Sequence, residues 1–339
     1  MKKRLLAALM AGAMALSMTA CGGSSSGSDD SNAASGGDSA KAGSYKVGVV
    51  QLMQHVALDA ATKGFQDKLT ELVEADGGKV EINVQNASGE SANCSTIVNG
   101  FVSAGDDLIM ANATAALQAA QAATSDIPVL GTSVTDYGTA LGISDWTGKT
   151  GTNISGTTDL APLDGQADML KELFPDAKNV GLLYCSAEAN SQYQVDTVQA
   201  ALEDLGYTCK QYSFSDSNDL SSVATTAASE SDVIYVPTDN AVASNTEIVR
   251  NICEPEKVPV IAGEEGICAG CGVATLSISY YDLGVATGKM AVKILTGEAN
   301  VSEMPIEYAP EFTKKYNPEL AEAMGVTIPD DYVAIETAE

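Results

Sequence analysis

The chain has 339 residues, of which 45% are hydrophobic and 19% are charged, and 18 basic against 45 acidic side chains give a formal net charge of −27. So acidic a protein repels nucleic acid and anionic lipid surfaces, so neither is expected as a ligand. His55 is the only histidine, which excludes a His-rich zinc site and forces any Ser-His-Asp or Cys-His arrangement to use that residue. No P-loop or dinucleotide fingerprint is present, so no enzymatic activity, cofactor or metal is expected.

Residues 1–20 are predicted to be a secretory signal peptide. A basic start at Lys2, Lys3 and Arg4 precedes an apolar stretch from Leu5 to Met18 that is too short to span a membrane. The next residues, Met18-Thr19-Ala20-Cys21, resemble the lipobox of bacterial lipoproteins, although Met18 stands where Leu is usual. This resemblance implies that Cys21 is lipid-modified and becomes the mature N-terminus. Cleavage removes three cations, which leaves 15 basic against 45 acidic side chains, or −30.

Residues 21–43 are predicted to be the lipid-bearing cysteine and a flexible tether. Between Gly22 and Gly43 there is no branched aliphatic and no aromatic residue, so this stretch cannot bury enough apolar area to offset its ordering entropy. The remaining body, 44–339, is long enough for two domains and has no further apolar stretch of about 18 residues. We therefore expect an extracytoplasmic protein that touches the membrane only through its lipid anchor.

Short β-branched runs alternate with amphipathic helical stretches through the first half of this body. Apolar residues three or four apart, such as Leu58, Ala61, Phe65, Leu69 and Leu72, indicate one face of a helix. The predicted strands lie at 47–52, 80–84, 108–110 and 129–130, with helices between them, including the Ala-rich segment 115–123. Alternation of this kind predicts a parallel sheet with helices on both faces.

The same alternation is repeated in the second half. Its predicted strands lie at 180–184, 209–213, 233–236, 258–261 and 273–277, and its helices at 195–205, 220–228 and 283–294. Two segments make the duplication visible, because 107–114 parallels 232–239 and 126–131 parallels 257–262. Two similar halves indicate a two-lobed protein, although repeated units in one larger sheet would have the same pattern.

The last predicted strand and helix, at 273–277 and 283–294, are left over after the second set of units and need a sheet to join, which favours two lobes. If the chain returns to the first lobe at this unit, the two lobes have comparable size and the segments that link them form a hinge. We predict an α/β fold with two Rossmann-like lobes, each a parallel sheet with helices on both faces. The predicted boundaries are 44–155 plus 278–302 for lobe 1 and 156–277 plus 303–339 for lobe 2, with crossings near 150–159, 274–279 and 302–308.

Polar side chains follow most of the predicted strands. Ligands of open parallel sheets bind outside the C-terminal strand ends, and here those ends would face each other across a cleft. Ser, Thr, Asp and Asn also cap helices at such positions, so for any one residue capping is at least as good an explanation. The candidate ligand-binding residues at these strand ends are Gln54, His55, Thr114, Thr132, Glu188, Asn190, Ser191, Asp239, Asn240 and Glu264, and the family resemblance of the segment 156–159, given below, adds Asp159.

A zwitterionic small molecule would suit these side chains. The helix N-terminus at Thr114 offers N–H donors to a carboxylate, and Asp239 or Glu188 offers a carboxylate to an ammonium group. Binding to both lobes would close them about the hinge. Aromatic partners for a ring are few, and the nearest to the predicted cleft are His55, Tyr193, Tyr280 and Tyr281.

At these positions the chain resembles a known family. The ordered segments are Gln54-His55-Val-Ala-Leu-Asp59, Gly156-Thr-Thr-Asp159, Ser186-Ala-Glu-Ala-Asn-Ser191, Pro237-Thr-Asp-Asn240, Gly263-Glu-Glu-Gly266 and Tyr280-Tyr-Asp-Leu-Gly284. They are similar to those of the substrate-binding lipoproteins of ABC importers related to the tryptophan- and tyrosine-binding type. The resemblance implies a type I periplasmic-binding-protein fold, no catalysis, an amino acid or related small organic solute as ligand, with an aromatic amino acid as the best candidate, and a permease and ATPase as partners.

A ligand-sensing receptor of the same fold is the alternative function. Genes for a permease and an ATPase beside this gene would distinguish the two roles.

Six cysteines follow Cys21, and in an exported protein an even number suggests disulfides. Cys268 and Cys271 are close enough in sequence to pair locally, and this is the expected structural disulfide. Free thiols in a reducing habitat are the second possibility, and a metal site, which would need two more ligands, is a distant third.

Overall fold

The computed structural model describes residues 43–309 and 311–336. The predicted signal peptide, Cys21 and the tether up to residue 42 lie outside the described residues. Within 43–309 and 311–336, no helix is long and apolar enough to cross a membrane.

The first lobe is built on a six-stranded sheet with the strand order β11-β5-β4-β3-β1-β2. All of its strand pairs are parallel. Its strands are β1 (Ser44–Gln51), β2 (Lys79–Asn86), β3 (Leu108–Asn112), β4 (Val129–Val134), β5 (Ile154–Thr158) and β11 (Glu307–Tyr308). Its helices are α1 (Val56–Ala75), α2 (Ser91–Ala104), α3 (Thr114–Ala123), α4 (Tyr137–Leu141) and α11 (Tyr280–Leu295), followed by a 3₁₀ turn at Val301–Glu303.

The second lobe is built on a seven-stranded sheet with the order β13-β12-β10-β9-β8-β6-β7. Its strands are β6 (Asn179–Cys185), β7 (Thr208–Phe214), β8 (Val233–Val236), β9 (Val260–Ala262), β10 (Ala274–Ser277), β12 (Thr313–Tyr316) and β13 (Val333–Ala334). Its helices are α5 (Leu163–Leu173), α6 (Ala189–Asp204), α7 (Ser217–Glu230), α8 (Asn240–Ala243), α9 (Thr246–Glu256), α10 (Glu265–Cys271) and α12 (Pro318–Met324). β12 runs antiparallel to β10, and the other strand pairs are parallel.

Alternate side chains of each strand point to opposite faces of the sheet. Because both faces are apolar, helices cover both of them. In the first lobe Val49 and Met110 pack with Phe65 of α1 and Met290 of α11. On the other face, Ile109 packs in a separate cluster with residues of α2 and α3. The second lobe has the same division between its two clusters. The predicted fold class is confirmed.

The chain crosses between the sheets three times: after β5, after β10 and after β11. Two of the predicted lobe boundaries need correction. Residues 156–158 belong to β5 of the first sheet, and 307–308 pair with that strand rather than with the second lobe. β11 has only two residues and no apolar run, so periodicity cannot reveal it.

The predicted pairing of Cys268 with Cys271 does not occur in this structure. All six cysteines of the described residues are free thiols, and Cys209 is the one among them that is not buried. Cys268 and Cys271 both lie within α10 and pack into the apolar core of the second lobe. Burial raises the pKa of both thiols, so they behave as small core side chains.

Candidate functional site

A narrow cavity lies between the C-terminal strand ends of the two sheets. Its cavity volume is about 10 Å³, so it is nearly filled in this structure. Several contacts join the lobes around it. Oγ1 of Thr135 lies 3.5 Å from Oγ1 of Thr238 and accepts from Nε2 of Gln194 at 3.3 Å, and Nε2 of His55 lies 3.1 Å from Oδ1 of Asn240. The lining residues are Leu58, Ser133, Thr135, Asp159, Asn190, Thr238, Asp239, Asn240, Ala243, Glu264 and Tyr280.

Asp159 carries the one carboxylate of this cavity that has an unused oxygen. It directly follows β5, where the chain leaves the first lobe, and it is 5% exposed. The Tyr280 hydroxyl donates to Oδ2 at 2.9 Å, whereas Oδ1 is buried and accepts no hydrogen bond. Burial raises the pKa of this carboxyl, and the nearby hydroxyls of Tyr280 and Thr135 offset part of that shift. A buried acceptor without a partner is costly, so Oδ1 is suited to a donor from a ligand.

Ser133 supplies a second unpaired group at the same cavity. The pairing of β4 with β5 shifts register between Gly131 and Val134, and Ser133 has a φ of 53° there. This left-handed conformation is uncommon for a residue other than glycine and is often found at functional sites. The Ser133 hydroxyl is buried and has no hydrogen-bond partner, so it too is available to a ligand.

Asp239 and Glu264 also line the cavity, but the protein itself occupies their carboxylates. Asp239 caps α8 by accepting from the Val242 N–H at 2.9 Å, and it accepts from the Cys185 N–H at 2.7 Å. Glu264 caps α10 by accepting from the N–H groups of Gly266 and Ile267, at 2.5 and 2.6 Å. Asp239, one of the two carboxylates expected to hold an ammonium group, thus has a capping role here.

Glu188 is the centre of a hydrogen-bond network on the second lobe. Its Oε2 accepts from Nδ2 of Asn190 at 3.1 Å and from Nδ2 of Asn240 at 2.5 Å, and its Oε1 accepts from the Ala241 N–H at 2.9 Å. Burial, with a contribution from the neighbouring Asp239 carboxylate, raises the pKa of Glu188 to about 7. Glu188 lines a larger interlobe groove of about 830 Å³ and not the cavity beside Asp159.

Of the predicted residues, the cavity brings together Asp159, Asn190, Asp239, Asn240 and Glu264. The other six lie elsewhere. Gln54 is exposed in the larger groove with Glu188, and His55 lines a neighbouring pocket. Thr114 is buried at the start of α3, Thr132 is buried within the first lobe with Oγ1 3.1 Å from Oγ1 of Thr157, and Ser191 is fully buried.

The aromatic side chains near the cleft are few. Tyr280 lines the cavity, and Tyr193 is partly buried on α6. Tyr281 is 40% exposed, its hydroxyl donates to Asp67 at 3.0 Å and Lys63 lies over its ring, so, contrary to expectation, it does not lie among the aromatic residues nearest the cleft. Consecutive helix residues point about 100° apart, so Tyr280 and Tyr281 do not face the same side.

The buried carboxyl of Glu264 predicts that stability falls as pH rises. Burial raises its pKa from 4.5 to about 7, so the folded protein binds a proton there that the unfolded chain has already released. This contribution is fully present below about pH 4.5 and is lost as pH rises through about 7. Glu264→Gln removes the titrating group but keeps an oxygen that can accept from the helix N–H groups.

We expect the free energy of unfolding of the wild type to fall by at least about 1 kcal/mol more than that of Glu264→Gln between pH 5 and pH 8. Urea unfolding at several pH values, without ligand, measures this difference. Glu298→Gln, at an exposed position, is the matched control and should follow the wild type. Parallel curves for wild type and Glu264→Gln would contradict the prediction.

Comparison with known proteins identifies the family. The sequence profile described as "ABC transporter substrate binding protein" matches residues 46–338. The chain belongs to this family of ABC transporter substrate-binding proteins. Its members are binding proteins and not enzymes, and they act outside the cytoplasm with an ABC transporter as partner.

This substrate-binding protein is similar to relatives whose ligands are named. It is 35% identical over 304 residues to the "Tyrosine-binding protein" of Clostridioides difficile, with 90% of this chain and 87% of that protein covered. A solved domain from Streptococcus pneumoniae in complex with L-Trp has 34% identity and a TM-score of 0.80, with 85% of this chain and 96% of that chain covered.

A third relative is known in an open form. It is the ligand-free, open structure of a substrate-binding protein with adhesive properties from Clostridium difficile, with 37% identity, a TM-score of 0.67, and 87% of this chain and 100% of that chain covered. The present structure thus matches the L-Trp complex better, despite the slightly lower identity. The contacts across the cleft show that its lobes lie close together.

Proposed function

We propose that this substrate-binding protein captures the zwitterion of an aromatic amino acid and that Asp159 receives its ammonium group. The observation that carries the proposal is the unpaired Oδ1 of Asp159, buried in a cavity whose described lining includes no Lys or Arg. An ammonium donates charge-assisted hydrogen bonds, which are stronger than neutral ones. It would neutralise a carboxylate that the free protein buries without a cation.

The ligand carboxylate needs donors, and these come from neutral groups. The Ser133 hydroxyl has no protein partner and faces the same cavity. The Thr135 and Thr238 hydroxyls lie on opposite lobes, 3.5 Å apart. A carboxylate that accepts from groups on both lobes would stabilise their closed arrangement.

Two observations support an aromatic side chain on the ligand. The similar proteins include one named for tyrosine binding and one solved with L-Trp. In this chain, Tyr280 and Leu58 supply an aromatic and an apolar wall beside Asp159. The Tyr280 hydroxyl is held by Asp159, which orients the ring.

A panel of ligands tests the proposed class. The protein is unfolded and refolded to remove any bound molecule, and its thermal midpoint is measured with amino acids, nucleosides and sugars. A ligand at about 100 times its Kd stabilises the folded state by roughly 2.7 kcal/mol. We expect shifts with L-tyrosine or L-tryptophan and none with sugars. Shifts with other solutes alone would reject the aromatic class.

We also propose that a lipid on Cys21 anchors the protein to the bacterial cell membrane. The support is the signal-like start and the lipobox-like segment 18–21. In cells, wild-type protein should sediment with membranes, whereas Cys21→Ser should be released into the soluble extracytoplasmic fraction. Equal partitioning of the two proteins would reject the anchor.

A further inference from the structure

His55, Asn240 and Glu188 form a continuous line of hydrogen bonds from one lobe to the other. His55 precedes α1 of the first lobe, Asn240 begins α8 of the second, and Glu188 precedes α6 of the second. Nε2 of His55 lies 3.1 Å from Oδ1 of Asn240, and Nδ2 of Asn240 donates to Oε2 of Glu188 at 2.5 Å. We call these three residues the latch.

The directions of these bonds are consistent with one another. The Glu188 carboxylate accepts, so the Asn240 NH₂ group faces it and the amide oxygen faces His55. Nε2 of His55 must then carry the hydrogen that Oδ1 of Asn240 accepts. The carboxylate also accepts from the backbone N–H groups of Asn240 and Ala241, at 3.1 and 2.9 Å. Asn240 is therefore held by Glu188 in the orientation that receives the first lobe.

The two ends of the latch do not line the cavity beside Asp159. Glu188 lines the larger interlobe groove, and His55 lines an adjacent pocket that shares Ala243 and Glu264 with the cavity, whereas the cavity lining includes neither Glu188 nor His55. The His55–Asn240 contact joins the two lobes, so separating them breaks it. An interaction made only when the lobes are closed stabilises that state whatever ligand lies between them.

We propose that the latch holds the lobes closed and slows ligand release without His55 or Glu188 touching the ligand. His55 is thus a positioning residue that sets affinity and not ligand selectivity. The inference rests on the proposed capture of a small ligand between the lobes but not on the aromatic class. One buried hydrogen bond present only in the closed state should change affinity by about fivefold to tenfold, mostly through the dissociation rate.

Dissociation kinetics of His55 variants test the latch. L-tyrosine and L-tryptophan are the probes, and rates are measured by stopped flow on the full mature protein. We expect His55→Ala to raise the dissociation rate of both probes by the same factor, about fivefold to tenfold. His55→Gln, whose side-chain N–H can also donate to Asn240, should restore most of the loss. Glu74→Ala, at an exposed position near the other end of α1, is the control and should match the wild type.

Two results would overturn the latch. Unequal factors for the two probes would place His55 against the ligand, and an unchanged dissociation rate in His55→Ala would mean that the contact does not hold the lobes. A wrong ligand class shows itself differently, because the wild type would then bind neither probe. In that case solution scattering of the ligand-free proteins decides, and a radius of gyration no larger in His55→Ala than in the wild type rejects the proposal.

Discussion

Asp159→Asn is expected to weaken binding of L-tyrosine or L-tryptophan by at least about 100-fold. Asparagine keeps the shape of the side chain and the acceptor for the Tyr280 hydroxyl, but it removes the negative charge. Removing one partner of a buried, hydrogen-bonded charge pair typically costs about 2–5 kcal/mol, and a hundredfold corresponds to about 2.7 kcal/mol. Isothermal titration calorimetry on refolded protein measures the loss directly.

The same substitution should not destabilise the ligand-free protein. In the free protein, Asp159 is 5% exposed and its Oδ1 has no partner, so an ionised carboxylate there is unfavourable. A neutral amide removes that cost, and the thermal midpoint should stay the same or rise. A loss of binding with no loss of stability separates a missing ligand contact from a misfolded protein.

Asp126→Asn provides the matched control. Asp126 is an exposed aspartate between α3 and β4, away from the cavity, and the same change of charge there should leave both affinity and stability near the wild type. If Asp159→Asn bound the amino acid as tightly as the wild type did, Asp159 would not be the ammonium site. Asp239 or Glu264, the other acids of the cavity, would then have to supply it.

Most of the fold follows from periodicity, and the errors have local causes. Strands such as β3, with all five residues buried, and helices with a regular apolar face are visible in the sequence. Duplication of these units predicts two lobes. β11 is missed because a two-residue strand has no periodicity, and β12 because its sequence, Thr-Lys-Lys-Tyr, is polar and only partly buried.

From the sequence, the candidate site can be predicted only as a set of polar residues that follow the C-terminal ends of strands. That rule points to Asp239 and Glu264, which do line the cavity. Asp159 follows β5, a strand that periodicity does not predict, and it is indicated only by the family resemblance of residues 156–159. The rule cannot say which carboxylate is already occupied by helix N–H groups, because Asp239 and Glu264 have the same capping chemistry in sequence as a ligand-binding acid. The distinction depends on hydrogen bonds that form only in the folded chain.

Thr132 and Ser133 illustrate the same limit within one strand. Both follow the predicted strand at 129–130, and Thr132 was the one expected at the ligand. The register shift of β4 beside β5 turns Ser133 toward the cavity and leaves Thr132 bonded inside the lobe. A β-bulge of this kind redirects side chains, and no residue type in the segment indicates it from the sequence.

Gly284→Ala is expected to destabilise the protein by about 3 kcal/mol or more, because α1 and α11 touch backbone to backbone at glycines. A Cβ on Gly284 would lie 2.0 Å from the carbonyl oxygen of Ala61, and one on Gly64 would lie 2.1 Å from that of Tyr281. Neither carbonyl can move without its helix. Overpacking costs about 1–3 kcal/mol even where side chains can give way, so a contact with backbone should lie at the upper end or beyond.

Gly100→Ala is the opposite control within the same lobe. Gly100 lies within α2, is exposed, and has nothing within 4 Å of an added Cβ. Alanine there should stabilise the protein by about 0.5–1 kcal/mol through its higher helix propensity. Urea unfolding of both variants compares the same Gly→Ala change at a position without space for a Cβ atom and at a position with space for one. Equal effects of the two substitutions would show that α1 and α11 do not pack this closely.

A destabilised Gly284→Ala should also bind ligand more weakly, because α11 begins with Tyr280, whose hydroxyl holds Asp159.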